Sequence, residues 1–195
     1  PVRDSYADHG YVFDPDPPYQ IIRSKYLSEE EIQSVVLVEE ALEYFWNGGK
    51  AVNTLKYIGS NQSIFDFLWA LGDRAKRRGG FAWLSLESCY GILSELVTEK
   101  FTADPVAAQL AAIDYYMHYK LRPALAFGAS GVKGARGTRA VMLHTSFDFD
   151  HFQTTGTIIR KPALVTFTYD GSRKCEVTQA EGRHVAVERL DLVTG

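Results

Sequence analysis

The run GASGVKGARGTRAVMLHTSFDF (Gly128–Phe149) is where the chain changes its period. Its first half carries glycine at 128, 131, 134 and 137. Glycine loses the most backbone entropy on folding, so this spacing predicts a flexible loop or hinge over 128–138. In its second half Val141, Leu143, Thr145, Phe147 and Phe149 alternate with Met142, His144, Ser146 and Asp148, the period of a half-buried strand. Upstream of the run, apolar residues recur at three- and four-residue steps instead. The switch assigns an α+β fold: an N-terminal helical bundle of about five helices, followed by a small antiparallel β-sheet.

Working outward toward the C-terminus, Val165, Phe167 and Tyr169 repeat the alternation. Asp170-Gly171 is a hairpin signal between that strand and one around Lys174 to Val177, and Val185 and Val187 mark a last strand. The whole of 139–195 is expected to form an antiparallel β region packed on the helices.

Toward the N-terminus, residues 20–127 read as helical. Ser28 followed by Glu31 forms a capping box, in which each side chain satisfies a backbone donor that the first helical turn leaves unpaired. Ile32, Val35, Val36, Val38, Leu42, Phe45 and Trp46 then build one apolar face up to the stop at Asn47-Gly48-Gly49. A second helix is predicted over Ala51–Ile58, stopping at Gly59. A third is capped by Ser63 and ends at Gly79-Gly80, and a fourth runs from Leu86, capped by Ser85, to about Phe101. Asp104-Pro105 opens a fifth, with proline at a first-turn position where its missing N–H costs nothing; this helix runs to Pro123.

Residues 1–19 hold five aspartates and prolines in the run Asp14–Pro18, which predicts an extended linker or arm. A start at Pro1 rather than methionine leads to the expectation of a domain excised from behind another.

Composition sets the outer limits. With 195 residues, 46% of them hydrophobic and 23% charged, the chain can bury a sizeable core without a metal or a disulfide. A net charge of −3 and a pI near 6.0 leave no clustered Lys/Arg excess for phosphate backbones, so nucleic acid is not an expected partner. No apolar run approaches the roughly 20 residues of a membrane span, and no secretory signal opens the chain. A cytoplasmic location is expected.

Residues with chemical potential are few. Cys89 and Cys175 are the only cysteines, far apart, and neither has the close second cysteine that zinc or iron–sulfur sites require. Cys89, among Leu86, Tyr90 and Leu93, reads as a buried structural thiol. Asp114 and His118 lie one helical turn apart; a surface pair is favoured over a metal site or a base with its orienter. His144, Asp148, Asp150 and His151 form the densest set of candidate metal ligands. As strand residues, His144, Asp148 and Asp150 would share one side. A solvent-facing polar edge is the favoured reading of that set.

The glycine-rich loop with Lys133, Arg136 and Arg139 has the composition of an anion cradle, but a strand follows it where a phosphate loop would feed a helix. Arg74, Lys76, Arg77 and Arg78 suit a helix C-terminus, and Glu39-Glu40 suit a solvated helix face.

Two stretches carry a family likeness: PYQIIRSKYLSEEEI (Pro18–Ile32) and VEEALEYFWNGGKAVNTLKYI (Val38–Ile58). They resemble the opening of a domain of unknown function that follows the radical SAM core in a family of cobalamin-binding radical SAM proteins. Weaker echoes lie at IDYYMHYKLRP (Ile113–Pro123) and RKPALVTFTYDGS (Arg160–Ser172). These are capping and packing signatures rather than catalytic ones. The resemblance implies a parent polypeptide that carries a cobalamin-binding domain and a barrel with a [4Fe–4S] cluster and S-adenosylmethionine. The CxxxCxxC loop that holds such a cluster is not present in this sequence. The implied role is a non-catalytic, cofactor-free C-terminal accessory domain, with the N-terminal catalytic domains of the same polypeptide as partners.

Two other readings stay open. One is a metal-dependent hydrolase using His144, Asp148, Asp150 and His151. The other is an interaction module using Arg74 to Arg78 or the Tyr115-Tyr116-Tyr119 group.

Overall fold

In the computed structural model, which describes residues 6–119, 124, 126–133, 139–169 and 175–181, the chain has the expected α+β architecture. Six helices precede a small antiparallel sheet. The chain divides into two compact units, Pro1–Leu96 and Val97–Gly195, and the division falls inside a helix.

The first unit begins with one helical turn, α1 (Tyr6–His9), and two short antiparallel strands, β1 (Val12–Phe13) and β2 (Ile21–Arg23). The expected extended arm is therefore folded over its described part. Asp14 supplies the reason: its carboxylate accepts the Asp16 N–H at 3.0 Å and its own N–H donates to the Gln20 carbonyl at 2.8 Å, so the proline run becomes the turn between the strands. Lys25 fastens α1 to the segment ahead of the next helix, donating from Nζ to the Asp8 carbonyl at 2.7 Å and from its N–H to the His9 carbonyl at 3.1 Å.

Helix α2 (Glu29–Leu42) starts at the capping box: Ser28 Oγ accepts the Glu31 N–H at 3.2 Å, and the Glu31 carboxylate accepts the Ser28 N–H at 2.8 Å. It passes into a π-helical turn, Glu43–Asn47, instead of continuing as an α-helix to the Asn-Gly-Gly stop. Phe45 is fully buried there, whereas Leu42 and Trp46, expected on the same apolar face, are exposed. The widened turn changes the angle between successive side chains from Glu43 onward and so carries Trp46 off the 3.6-residue stripe, whereas Leu42 and Val35, also exposed, lie on α2 ahead of it.

Helix α3 (Val52–Asn61) runs through Gly59 rather than stopping at it, because that glycine does not take the left-handed conformation that ends a helix. Helix α4 (Ile64–Arg77) is capped by Ser63 as expected and lies against α2. At Gly72 a Cβ would fall on the Leu37 carbonyl, so the absent side chain is what permits so close an approach. Leu37, Ala41, Phe45, Ile58, Phe67 and Leu71 form part of the buried core of this unit. Helix α5 (Leu86–Lys100), entered through Ser85, crosses the boundary between the units.

In the second unit, α6 (Pro105–His118) opens with Asp104 accepting the Val106 N–H at 3.1 Å and proline in the first turn. Leu110 to Tyr116 are buried without a break. The sheet has the order β3-β4-β5-β6, antiparallel throughout, with strands β3 (Ser130–Lys133), β4 (Arg139–Thr145), β5 (Ala163–Tyr169) and β6 (Cys175–Glu181). Val141, Leu143, Thr145, Val165, Phe167 and Tyr169 are buried in strict alternation with more exposed neighbours. Helix α6 packs on this sheet: the Tyr116 and Phe167 rings are 5.3 Å apart, and the Tyr169 hydroxyl donates to the Tyr116 carbonyl at 2.7 Å. The sequence reading grouped α6 with the other helices; it falls in the unit that holds the sheet.

Two expectations fail here. Part of the expected flexible loop is strand β3, paired from Ser130↔Met142 to Lys133↔Arg139, since a ladder uses backbone groups that glycine also has. And β4 ends at Thr145. Asp148 then caps helix α7 (Phe149–Thr155), which closes at Gly156 with φ 74°. Phe147, Phe149 and Phe152 are all buried, so the bend satisfies the same apolar residues that a longer strand would have.

The hairpin turn at Asp170-Gly171, the last strand near Val185 and Val187, and Pro123, Gly134, Arg136 and Gly137 lie outside the described residues. No helix among the described residues is long and apolar enough to cross a membrane.

Candidate functional site

Within the first unit, the end of α2, its π-helical turn and the segment after α4 enclose a cleft of about 810 Å³. Glu39, Glu40, Glu43 and Tyr44 line it from α2 and the π-turn, and Lys50, Phe81 and Trp83 line it from the segments that follow. The chain reaches Phe81 through Gly79 and Gly80, both at positive φ (103° and 88°), a turn that a side chain would strain. A short 3-10 turn, Phe81–Trp83, follows, burying Phe81 and leaving Trp83 85% exposed.

The lining is well braced. The Tyr44 ring stacks on Phe81 with centroids 4.9 Å apart and planes 15° from parallel, while Phe45 meets both rings edge-on at 5.0 and 5.5 Å. Lys50 Nζ sits 4.0 Å from the Tyr44 ring centroid and donates to the Tyr44 carbonyl at 3.3 Å. The Tyr90 hydroxyl donates to the Lys50 carbonyl, fixing the backbone at that point.

Behind the cleft the Tyr44 hydroxyl meets the Cys89 thiol. Burial, then that hydrogen bond, push the phenol far above its ordinary pKa, and burial likewise pushes the Cys89 thiol up. Both groups are neutral at physiological pH. Cys89 is thus a packing thiol, as its helical neighbours implied, and not a poised nucleophile.

Residues 7–134 match the family described as "Protein of unknown function (DUF4080)". The chain belongs to this family. No curated protein and no solved structure matches it. Every lining residue of the cleft, from Gln20 to Trp83, falls inside the DUF4080 segment, whereas β4, β5 and β6 follow it.

The structure scatters the residues singled out as candidate metal ligands. His144 is exposed on β4, opposite Leu164 in β5. Asp148 is occupied as the α7 cap: its Oδ1 accepts the His151 N–H at 3.0 Å and Gln179 Nε2 at 2.8 Å, and these bonds, the Gln179 one first, hold its carboxyl below the usual range. Asp150 is exposed in the first turn of α7, and His151 Nε2 lies 3.1 Å from Thr157 Oγ1. A helix from Phe149, in place of the expected strand, removes the alternation that would have put His144, Asp148 and Asp150 on one side. Among the described residues no group of three or more His, Cys, Asp or Glu is placed to hold a metal ion.

Other readings also shift. Asp114, expected at the surface with His118, is buried in α6 at 4% exposure, and Tyr115 and Tyr116 are buried too, so they present no aromatic docking surface. Arg77 pairs with Asp73 at 2.8 Å and Arg78 with Glu95 at 2.7 Å, on or just past the last turn of α4. Cys175 lies at the start of β6, far in sequence from Cys89, and neither is in a disulfide.

Sequence reasoning passed over Tyr44, Lys50, Phe81 and Trp83 and read Glu39-Glu40 as a solvated face. The available signal was two glycine pairs, Gly48-Gly49 and Gly79-Gly80, each within three residues of an aromatic side chain.

Proposed function

We propose that this DUF4080 chain is a non-catalytic accessory domain of a larger cobalamin-binding radical SAM protein, docked through its helical unit on the catalytic part of the same polypeptide. One observation carries this reading. Of the twelve large apolar side chains exposed among the described residues, eleven lie between Val12 and Trp83 and only Ile159 lies in the unit that holds the sheet. Val35 on α2, Trp46 on the π-turn, and Phe65 and Trp69 on α4 are among them. Exposed apolar side chains gathered in one unit support an interaction face there.

The sequence likeness over Pro18–Ile32 and Val38–Ile58 supports the choice of partner. The [4Fe–4S] cluster, S-adenosylmethionine and cobalamin belong to the parent in this reading, since a chain with two cysteines cannot furnish a three-cysteine loop of its own. A cytoplasmic setting is part of the same proposal.

Hydrogen–deuterium exchange on the full-length protein, compared with this chain alone, is the test. Protection should appear over α2 and α4 in the full-length protein, and Phe65→Asp with Trp69→Asp should remove it. Equal exchange in the two samples would sink the docking. A stable, stoichiometric iron–sulfur absorbance on this chain alone after anaerobic reconstitution would overturn the accessory role.

A further inference from the structure

The cleft has a chemistry that the docking face does not need. Three carboxylates, Glu39, Glu40 and Glu43, line it against one ammonium, Lys50, so the excess is 3 − 1, or two negative charges. The ammonium is already engaged on the Tyr44 ring and carbonyl. Among the described residues Glu39 and Glu40 make no ion pair, and the Glu43 carboxylate accepts from Asn47 Nδ2 at 2.6 Å. Trp83 lines the same cleft, exposed over 85% of its surface on a short turn that buries Phe81.

Unspent carboxylates and a bare indole around one cleft select a narrow class of ligand. An anion is repelled by the carboxylate wall, and a purely apolar segment would strip water from the carboxylates without replacing its hydrogen bonds. An ammonium answers the charge and can sit over a ring, as Lys50 does on Tyr44, but it has no planar face to stack and no fork of parallel donors. A guanidinium has both: its planar face stacks on an aromatic ring while its edge donates two parallel hydrogen bonds to a carboxylate. Stacked, desolvated arginine and tryptophan are also the residues that carry most of the energy at protein interfaces. The cleft volume of about 810 Å³ is far more than one side chain fills, which leaves room for the neighbours of that arginine.

We propose that this cleft is a docking site for an arginine-bearing peptide segment of a partner protein, with the guanidinium stacked on Trp83 and its donors met by Glu39, Glu40 or Glu43. The cleft shares Trp83 and the end of α2 with the proposed docking face, but Phe65 and Trp69 on α4 do not line it, so substitutions there separate the two readings.

Fluorescence polarisation on the intact chain tests it, with short labelled peptides that differ only in a central Arg, Lys, Gln or Glu. The Arg peptide should bind best, the Glu peptide should not bind, and added salt should weaken the Arg complex. Trp83→Ala and the double variant Glu39→Gln/Glu40→Gln should each weaken Arg-peptide binding by about tenfold or more. All three positions are exposed, so circular dichroism should show these variants folded like the parent. Phe65→Asp/Trp69→Asp should bind the Arg peptide as the parent does.

Four outcomes would each refute the proposal: no binding of any peptide; equal binding of the Arg and Glu peptides; an Arg complex indifferent to Trp83→Ala; or free arginine and spermine competing as tightly as the peptide, which would make the cleft a small-cation site. Self-association of the chain, seen by sedimentation and abolished by Trp83→Ala, would assign the cleft to a second copy and refute it as well.

Discussion

At Asp148 a single carboxylate decides where the sheet gives way to a helix. Its Oδ1 takes the His151 N–H and the Gln179 amide, while Gln179 Oε1 takes the Phe149 N–H at 2.7 Å, so cap and strand β6 lock each other. Both bonds favour the ionised form, and the folded-state pKa lies below the ordinary value of 3.8. A depressed carboxyl contributes stability that is present above its unfolded pKa and is lost as pH falls through the folded one. The stability gap between the parent and Asp148→Ala should therefore stay constant from neutral pH to about pH 5 and close below about pH 4. Urea unfolding at a series of pH values measures it; a gap that widened on acidification would show the sign to be wrong. The carboxylate is only half-buried, so the gap should also shrink in high salt.

At the scale of elements, the approach of α4 to α2 at Gly72 is a steric matter, and it reverses an ordinary expectation. Alanine in place of glycine inside a helix usually stabilises it by about 0.5–1 kcal/mol. Gly91 on α5 has open space where a Cβ would stand, so Gly91→Ala should gain about that amount. Gly72→Ala should instead lose about 1–3 kcal/mol, because the new methyl meets the Leu37 backbone and the helices must separate. Thermal unfolding of the two variants side by side gives the comparison, and a stabilised Gly72→Ala would contradict the packing.

The helix starts at Ser28, Ser63, Ser85 and Asp104-Pro105 were legible because a cap and its partner lie within four residues. Helix α7 was not, although its cap, Asp148 on the His151 N–H, is as local as theirs: the alternation of Phe147 and Phe149 suits a strand equally well, and the Gln179 amide that reinforces the cap lies 31 residues from Asp148. The cleft was hidden for a related reason. Residues 39–50 and 79–83 meet only once α2 and α4 have packed, and no local period encodes that meeting.

At the scale of the whole molecule, the two units differ in how apolar surface is spent. The helical unit leaves much of it exposed, while the other buries an unbroken run from Leu110 to Tyr116 on α6. A segment buried on all sides opens only with its unit, whereas a single helical turn such as α1 frays. Native-state hydrogen exchange should place the α6 amides among the slowest in the chain and those of Tyr6–His9 among the fastest, and rapid exchange across α6 would contradict the packing described.

The uneven exposure has one more consequence. All three tryptophans of the chain, Trp46, Trp69 and Trp83, stand in the helical unit, and all three are exposed. Intrinsic tryptophan emission is therefore a private signal of that unit. It should shift when a partner covers the docking face or the cleft, and it stays blind to the sheet, whose unfolding has to be followed by its tyrosines or by circular dichroism.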